Sequence, residues 1–401
     1  MCVLSLLFCG WGLAQAPLLY EHEYPVLHEE HPRIRRLIDE ISEERLTSTI
    51  EHLCAYHTRR WDSRMVYEVQ DWLYETYYDM GFDTVVLHDF QFVSNGSVYE
   101  TSDNVIAIQR GTVYPDEYVV CGAHYDCYNL DEGHPDSLRA PGADDNASGM
   151  AGILETARLL SQCKFERSIL YCGWAAEEVG LKGSAAFAND CAANKLDIVG
   201  YFNLDMTGYL EEGAEMKVYL LYTSRDSLLA NYVYNFSAVY FPEMPIRQGW
   251  LSWGDSDYSS FNRAGYAAVH PFENPHHSSP FIHSTSDILG VSVNNMAQCK
   301  RFAELNLGLV ATLAGLVETS VPEDPSDVLA VYPNPVRDHI IVRGVPMRQI
   351  EVFDTLGRRV LKETCHDEEV RLDVSSLVAG VYVLRVVDDA MNVHSHRFVT
   401  Y

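Results

Sequence analysis

Apolar residues recur at spacings of three and four along the N-terminal part of the chain, as on one face of a helix. This pattern predicts helices at residues 29–44, 45–58 and 64–80. Gly81 follows the third segment and suits a helix C-terminus, because glycine adopts a left-handed conformation without a steric penalty. Continuous apolar runs come next, and they predict strands at residues 83–92, 104–109 and 117–123.

Further along the chain, predicted helices alternate with predicted strands. The helices are expected at residues 145–162, 180–193, 225–240 and about 294–318. The strands are expected at residues 168–174, 197–204, 216–222 and 266–270. This alternation predicts an α/β domain with a mostly parallel, mixed sheet and helices on both faces. Ligands bind such sheets at the carboxyl ends of the strands.

The pattern changes near the C-terminus. Residues 320–327, SVPEDPSD, are polar and contain two prolines, which is typical of a linker. Beyond them, short β-rich runs separated by turns lie at residues 339–343, 349–353, 358–362, 369–373, 380–387 and 394–400. Regular short strands predict a small all-β, immunoglobulin-like sandwich over residues 328–401.

The first residues form a short apolar run, MCVLSLLFCGWGLA. The run is too short to cross a membrane as a helix, and it ends in small residues that a signal peptidase recognises. We therefore expect a signal peptide at residues 1–14, with residue 16 as the alternative end. The basic residues that usually open a signal peptide are missing, and a buried N-terminal strand is the other interpretation. The first domain would then span residues 15–319.

The composition of the chain excludes some classes of function. There are 29 Lys and Arg against 57 Asp and Glu, a net charge of −28, so nucleic-acid binding is not expected. No other apolar run is long enough to span a membrane. Of ten cysteines, eight lie beyond the expected signal peptide, and an exported chain can form disulfides from them. Their pairing stays open, and the absence of a Cys-x-x-Cys pair argues against a cysteine-based zinc site.

Candidate metal ligands begin where a predicted strand ends. His124 and Asp126 form a His-x-Asp pair directly after an apolar run. A carboxylate two residues from a histidine can accept the second imidazole N–H and orient the ring toward a metal. Asp144 lies in GADDNASG, just before a predicted helix, where a carboxylate is electrostatically favoured. Read alone, Asp144 would equally well be a helix cap, and His124 a structural histidine.

Three more acidic residues and a histidine follow. Glu177 and Glu178 come just after the strand at 168–174, and Asp205 comes just after the strand at 197–204. His283 lies in a loop before the last helix. Each has a plain interpretation as a turn or surface residue. Together, however, they supply nitrogen and oxygen ligands without thiolate, which suits zinc or another divalent transition metal. An adjacent glutamate left free of metal could act as a general base.

Six stretches resemble the co-catalytic zinc aminopeptidases, the group of the bacterial leucyl aminopeptidases, over roughly residues 32–319. They read AHYDCYNL, APGADDNASGMAGILETAR, AAEEVGLKGSAAFA, NLDMTGY, SDYSSFNRAGYAAVHPFE and IHSTSDIL. The resemblance implies a zinc exopeptidase fold, a monomeric catalytic domain and two zinc ions per chain. One ion would be held by His124 and Asp205, and the other by Glu178 and His283. Asp144 would bridge the two ions.

The resemblance also implies a reaction. Glu177 would act as the general acid and base that takes a proton from water activated by the metals, and Asp126 would orient His124. The N-terminal residue of a peptide would be released by hydrolysis. The stretch Trp253-Gly254-Asp255 stands where related enzymes can carry a tyrosine and a local disulfide. Met206, Trp253 and Tyr258 are the candidates for lining the side-chain pocket.

The tail resembles a second family, the C-terminal sorting domain of the type IX secretion system. The stretches concerned are VYPNPVRDHIIV, IEVFDTLGRRVL, LDVSSLVAGVYVLRV and HRFVTY. This resemblance implies recognition of residues 328–401 by the secretion machinery. The protein would pass through the periplasm and be secreted or held at the cell surface. The alternative for the tail is a spacer or a carbohydrate-binding module.

Three other functions remain open. A glutaminyl-peptide cyclotransferase would use a single zinc ion on the same scaffold. A carboxypeptidase or dipeptidase of the same superfamily would cleave peptides whose N-terminus is blocked. A binding protein with a degenerate site would have lost a ligand or the glutamate base, and neither loss is seen here.

Overall fold

The computed structural model describes residues 17–94, 96–130, 133–251, 254–317, 329–354, 358–389 and 393–401. The chain divides into two compact units after Val317. The signal peptide expected at residues 1–14 and the linker expected at 320–327 lie outside the described residues. Within the described ranges, no helix is both long and apolar enough to cross a membrane. The eight described cysteines are free thiols.

The first unit consists of eight helices and ten strands over its described residues. The helices are α1 (Pro32–Asp39), α2 (Glu43–Ala55), α3 (Met65–Asp79), α4 (Gly149–Leu160), α5 (Lys182–Ala193), α6 (Ser227–Tyr240), α7 (Tyr258–Ala264) and α8 (Met296–Ala314). The strands are β1 (Thr84–His88), β2 (Gln91–Ser94), β3 (Ser97–Glu100), β4 (Asn104–Gln109), β5 (Tyr114–His124), β6 (Arg167–Trp174), β7 (Asp197–Asn203), β8 (Tyr219–Leu221), β9 (Arg247–Gln248) and β10 (Ala268–Phe272). The periodicity does not predict β3, β9 or the short helix α7, and the single strand predicted at residues 83–92 is divided between β1 and β2.

Eight of these strands form one mixed sheet in the order β1-β4-β6-β5-β7-β10-β8-β9. Strands β6, β5, β7 and β10 run parallel at its centre, and β1, β4 and β8 pair antiparallel. The chain leaves β5 to form β6 on one side and later returns to form β7 on the other side. The carboxyl end of β5 is therefore a topological switch point, where open α/β sheets bind their ligands.

Both faces of the sheet are covered by helices. Side chains alternate between the faces of a strand, and the buried runs of the central strands supply apolar residues to both. On β5, Val119 and Cys121 pack in the cluster that contains Met150 of α4 and Phe302 of α8. Val120 packs in the second cluster, with Phe261 of α7. The predicted α/β class, with helices on both faces, is confirmed.

An extended N-terminal segment, residues 17–31, precedes α1 and is hydrogen-bonded to the body of the domain. The Leu19 amide donates to the Gly265 carbonyl at 2.8 Å, and the Tyr24 hydroxyl donates to the Val199 carbonyl at 2.8 Å. The backbone of Leu27 exchanges two hydrogen bonds with the Asn235 side chain, at 2.6 and 3.0 Å. The segment thereby ties β7, α6 and the turn after α7 together.

The second unit is all-β, as the sequence predicts. Its strands are β11 (Ala330–Tyr332), β12 (His339–Phe353), β13 (Arg359–Asp373), β14 (Gly380–Asp388) and β15 (Val393–Thr400). The four runs predicted at 339–343, 349–353, 358–362 and 369–373 are in fact two long strands. β13 follows β12 along one edge, while the other edge of β12 pairs first with β11 and then with β14. Register shifts between Arg343 and Gln349 explain why the sequence pattern breaks there.

The N-terminal segment should contribute measurably to stability. We expect Tyr24→Phe to lower the free energy of unfolding by about 1 kcal/mol, because a half-buried hydroxyl loses its carbonyl partner. Thermal or denaturant unfolding measures this change. The control is Tyr78→Phe on α3, where the ring is 65% exposed and little change is expected. Equal effects of the two substitutions would contradict a structural role for the segment.

Candidate active site

The predicted ligand residues follow the carboxyl ends of three neighbouring parallel strands. His124 is the last residue of β5, Glu177 and Glu178 lie just beyond the end of β6, and Asp205 lies just beyond the end of β7. The loop that follows β10 brings in His283. Since these strand ends share one edge of the sheet, their side chains converge on the switch point.

The structure brings four of the five predicted ligands together, and Asp145 joins them. The Nε2 atom of His124 lies 3.1 Å from Oδ1 of Asp145 and 3.5 Å from Oδ1 of Asp205. The Nε2 atom of His283 lies 3.1 Å from Oδ2 of Asp145 and 2.8 Å from Oε2 of Glu178. The Asp145 carboxylate therefore lies between the two imidazoles, with one oxygen facing each.

The carboxylate that lies between the two imidazoles is that of Asp145, at the place where the sequence analysis expected Asp144. Oδ1 of Asp144 accepts the Gly208 amide at 2.8 Å and is 3.4 Å from the Ser148 hydroxyl. The backbone of Asp145 is not helical, with φ −113° and ψ 87°, so the two side chains point in different directions. The adjacent acids are indistinguishable by composition, and only this local conformation separates them.

Asp126 makes contacts that the sequence analysis did not predict. Its carboxylate oxygens accept the backbone amides of Glu177 at 3.0 Å and Glu178 at 3.3 Å. The Nδ1 atom of His124 lies 3.2 Å from the backbone carbonyl of Asp126 and 3.6 Å from its carboxylate. The carbonyl is the better-placed partner of His124. The carboxylate of Asp126, which lies beside His124, also holds the loop that carries both glutamates.

Two positioning residues were missed in the sequence analysis. Asp287 accepts the backbone amides of Asp144 at 2.8 Å and Asp145 at 3.2 Å, as Asp126 does for the glutamate loop. The Ser256 hydroxyl donates to Oδ2 of Asp205 at 2.6 Å. Both lie inside stretches that resemble the aminopeptidases, yet single acidic and serine residues in loops carry no distinguishing pattern of their own.

Burial of these acids changes their proton affinity. Burial, with further repulsion from Asp257 and Glu178, raises the pKa of Glu177 well above its usual range despite the attraction of His124. Burial and the nearby Asp145 carboxylate raise the pKa of Glu178 to about 8. Strongly shifted pKa values of carboxyl groups in a cleft are typical of sites of proton transfer.

The pKa values of both histidines are raised as well, whereas the pKa of Asp145 is lowered. Burial alone would lower the pKa of His283, but hydrogen bonds to Asp145 and Glu178 outweigh it and raise that pKa to about 11. For Asp145, the hydrogen bonds from His124 and His283 outweigh burial and hold its pKa well below the usual range. Asp145 therefore favours its ionised form, and its negative charge stabilises positive charge on the groups around it.

Backbone strain is concentrated around the cluster. Three non-glycine residues with positive φ lie in it or beside it: Ala176 at 53°, Met206 at 55° and His283 at 54°. Such conformations cost of order 1 kcal/mol and persist only where the surrounding structure imposes them. Here they turn the chain directly before Glu177 and directly after Asp205.

The donor set fits divalent metal ions. Oδ1 of Asp205 and Oε1 of Glu178 are buried and have no hydrogen-bond partner among the described residues. Ligand atoms of His124, Asp145 and Glu178 lie within 4.8 Å of one another, and so do those of His124, Glu177 and Asp205. Buried carboxylates without partners are costly, and a cation satisfies them. Nitrogen and oxygen donors without thiolate suit zinc.

A cleft opens beside the cluster. Its apolar wall consists of Met206, Leu251, Phe272 and Ile282, and Asp145, Glu177, Glu178 and His283 line its polar end. Of the predicted pocket residues, Met206 lines the cleft and Tyr258 packs behind it. Trp253 lies outside the described residues.

A two-sided α/β sheet with paired histidines and carboxylates at its switch point defines a metal-dependent hydrolase. The model of peptidase family M28 matches residues 104–307. The chain belongs to this family, and the prediction of a metallo-aminopeptidase is confirmed.

Known relatives agree with this assignment. Leucine aminopeptidase 1 of Leptosphaeria maculans is 30% identical over 308 residues, which cover 73% of this chain and 76% of that protein. Two solved structures share the fold. The LapA aminopeptidase of Legionella pneumophila has a TM-score of 0.61 at 24% identity and covers 75% of this chain and 78% of its own. A glutaminyl cyclase of Bacteroides thetaiotaomicron has a TM-score of 0.54 at 17% identity. The match covers 67% of this chain and 97% of the cyclase.

The second unit has its own match. Residues 330–400 match the secretion system C-terminal sorting domain. The predicted resemblance of the tail is confirmed, and the protein is exported, either to the medium or to the cell surface.

The choice between Asp144 and Asp145 as the bridging carboxylate can be tested directly. We expect Asp145→Asn to weaken metal binding by more than about 100-fold, because it changes a carboxylate that faces both histidines. Asp144→Asn is the matched control, since its amide oxygen can still accept from Gly208. It should change metal affinity less than about tenfold and lower stability by about 1 kcal/mol. Competition with a chelating dye measures both affinities, and the reverse order would contradict the assignment.

The metal-free protein should lose stability as pH rises from about 5 to 8. Glu178 keeps its proton in the folded state up to about pH 8, although its ordinary pKa is 4.5, and His283 keeps its proton up to about pH 11 instead of 6.5. In this pH range the folded state therefore binds more protons than the unfolded chain. Each extra bound proton lowers the free energy of unfolding by about 1.4 kcal/mol for every unit by which the pH rises. The lowered pKa of Asp145 has the opposite effect on stability, but that effect is confined to pH values below 3.8.

Metal loading should reverse this dependence, because metal ions replace those protons and bind more tightly as pH rises. Thermal unfolding in chelator and in zinc across this pH range checks the prediction. Parallel pH dependence in the two conditions would contradict it.

Proposed function

We propose that the protein is a secreted aminopeptidase that holds two zinc ions at this cluster. His124 and Asp205 would bind one ion, Glu178 and His283 the other, and Asp145 would bridge them. The observation that carries the proposal is the position of the Asp145 carboxylate, with one oxygen 3.1 Å from each imidazole. We further propose that the catalytic domain acts as a monomer.

The chain's own residues account for the proton transfers. Two bound zinc ions would polarise the scissile carbonyl and make a water molecule more acidic. Glu177 takes the water proton and delivers it to the leaving amine. Its side chain lies in the cleft, and its backbone is held by Asp126.

The cleft supports cleavage at an apolar N-terminal residue. The polar end of the cleft carries several carboxylates, which would attract the free α-ammonium group of a peptide. The apolar wall begins at Met206, directly after Asp205. A peptide bound through its amine would therefore place its first side chain against Met206, Leu251 and Phe272.

The second candidate is a glutaminyl cyclase, because one solved protein of that activity shares the fold. A cyclase would use one zinc ion. The symmetrical position of Asp145, with a separate histidine and carboxylate on each side, favours two ions. Metal content distinguishes the candidates: two zinc ions per chain support the aminopeptidase, and one ion with cyclisation of N-terminal glutamine supports the cyclase.

Glu177→Gln should keep both metals and lose activity. The amide has nearly the same shape but cannot take a proton from water, so we expect kcat to fall by at least about 100-fold. Metal analysis and steady-state kinetics on a leucyl substrate measure the two effects. Glu215→Gln, at an exposed carboxylate, is the control and should be fully active. A fully active Glu177→Gln enzyme would show that another group is the base.

Substrate preference follows from the cleft. Leucyl and methionyl chromogenic substrates should be cleaved faster than glutamyl or lysyl ones, because the first side chain meets an apolar wall. Acetylating the amine of the leucyl substrate should abolish cleavage, and a chelator should abolish it for all substrates. Cleavage of the acetylated substrate at an undiminished rate would favour a carboxypeptidase or dipeptidase.

A further inference from the structure

A chain of four hydrogen bonds runs through the buried core and ends on Asp205. The indole Nε1 of Trp174 donates to the Tyr201 hydroxyl at 2.8 Å, and that hydroxyl donates to Oδ1 of Asn203 at 2.6 Å. Nδ2 of Asn203 donates to the Ser256 hydroxyl at 2.8 Å, and Ser256 donates to Oδ2 of Asp205 at 2.6 Å. The chain thus connects the end of β6 to the residue that follows β7.

Every member of this chain is shielded from solvent. Trp174, Tyr201 and Asn203 are fully buried, and Ser256 is nearly so. The neighbouring strand leaves room for the indole nitrogen, since a Cβ at Gly122 would lie only 2.6 Å from Nε1. Water therefore cannot replace a missing partner of Trp174 or Tyr201 without rearrangement of the core.

The direction of the hydrogen bonds is fixed by the first residue. An indole N–H can only donate, so the Tyr201 hydroxyl accepts there and gives its own proton to Asn203. Burial raises the pKa of Tyr201 well above its usual range, so the hydroxyl keeps that proton. The amide oxygen of Asn203 is then occupied, and its NH₂ group faces Ser256. Ser256 accepts that bond and has one proton left, which it donates to Asp205.

We propose that Trp174, Tyr201 and Asn203 are positioning residues that act on the metal site through Ser256 and Asp205. The inference rests on the proposed function, because Asp205 is taken as a metal ligand. The chain occupies Oδ2 of Asp205 with a donated proton. Oδ1, which lies 3.5 Å from Nε2 of His124 and has no hydrogen-bond partner among the described residues, is left directed at the ion.

Breaking the chain at its middle should disturb the metal site from a distance. Tyr201→Phe leaves Oδ1 of Asn203 without its donor, so the amide can turn and take the Ser256 proton away from Asp205. We expect the zinc affinity of the position formed by His124 and Asp205 to fall about tenfold, as for other outer partners of metal ligands. The absorption spectrum of the cobalt-substituted protein should also change, since Asp205 would coordinate differently.

Tyr171→Phe is the matched control. Tyr171 lies on β6, is also fully buried, and donates its hydroxyl to Oε1 of Gln109 at 2.7 Å, remote from the strand ends. Both substitutions remove one buried hydroxyl and should lower the melting temperature by similar amounts. Only Tyr201→Phe should change zinc affinity and the cobalt spectrum. Identical zinc affinities and spectra for the two variants would overturn the proposal.

A double-mutant cycle tests whether the effect passes through Ser256. Ser256→Ala should weaken zinc binding at least as much as Tyr201→Phe, and Ser256→Thr, which keeps a hydroxyl, should restore most of the affinity. In the Ser256→Ala background, adding Tyr201→Phe should have no further effect on affinity. Additive losses would overturn the proposed route.

The readout uses zinc and cobalt alone, so it separates this inference from the proposed function. If the parent protein binds two ions and Tyr201→Phe leaves the zinc affinity and the cobalt spectrum unchanged, only the positioning role is overturned. A parent protein that binds no divalent metal would overturn both.

Discussion

The structure depends on a buried excess of negative charge at the end of its central sheet. Four carboxylates and two imidazoles meet there, and two of the carboxylate oxygens have no hydrogen-bond partner in the described part of the chain. Such a cluster is expensive to bury unless cations neutralise it. The surrounding architecture brings candidate ligands from three strand ends and two loops together at one place.

The backbone around the cluster is held by carboxylates that do not face the ions. Asp126 binds the amides of the glutamate loop, and Asp287 binds the amides of Asp144 and Asp145. Each of these acids fixes a strained or irregular turn and so determines the direction of the neighbouring side chains. Asp205 is held by the Ser256 hydroxyl instead. The candidate ligands are therefore held in place by the protein itself, which would reduce the cost of binding a metal ion.

Much of this arrangement could be predicted from the sequence, and the exceptions have physical causes. Strand ends are marked by apolar runs, so His124, Glu178 and Asp205 could be grouped from periodicity alone. Asp144 and Asp145 could not be separated, because the choice depends on the non-helical backbone of Asp145. The long strand β12 was divided in two, because its register shifts interrupt the alternation of side chains. The hydrogen bonds of Ser256 and Asp287 depend on tertiary contacts that no local pattern shows.

The central claim is that one carboxylate, from Asp145, lies between two metal ions. X-ray diffraction from zinc-loaded crystals at the zinc absorption edge tests it most directly. The account predicts two anomalous peaks about 3.5–4 Å apart, with one oxygen of Asp145 beside each. A single peak, or a pair bridged by Asp144, would contradict it.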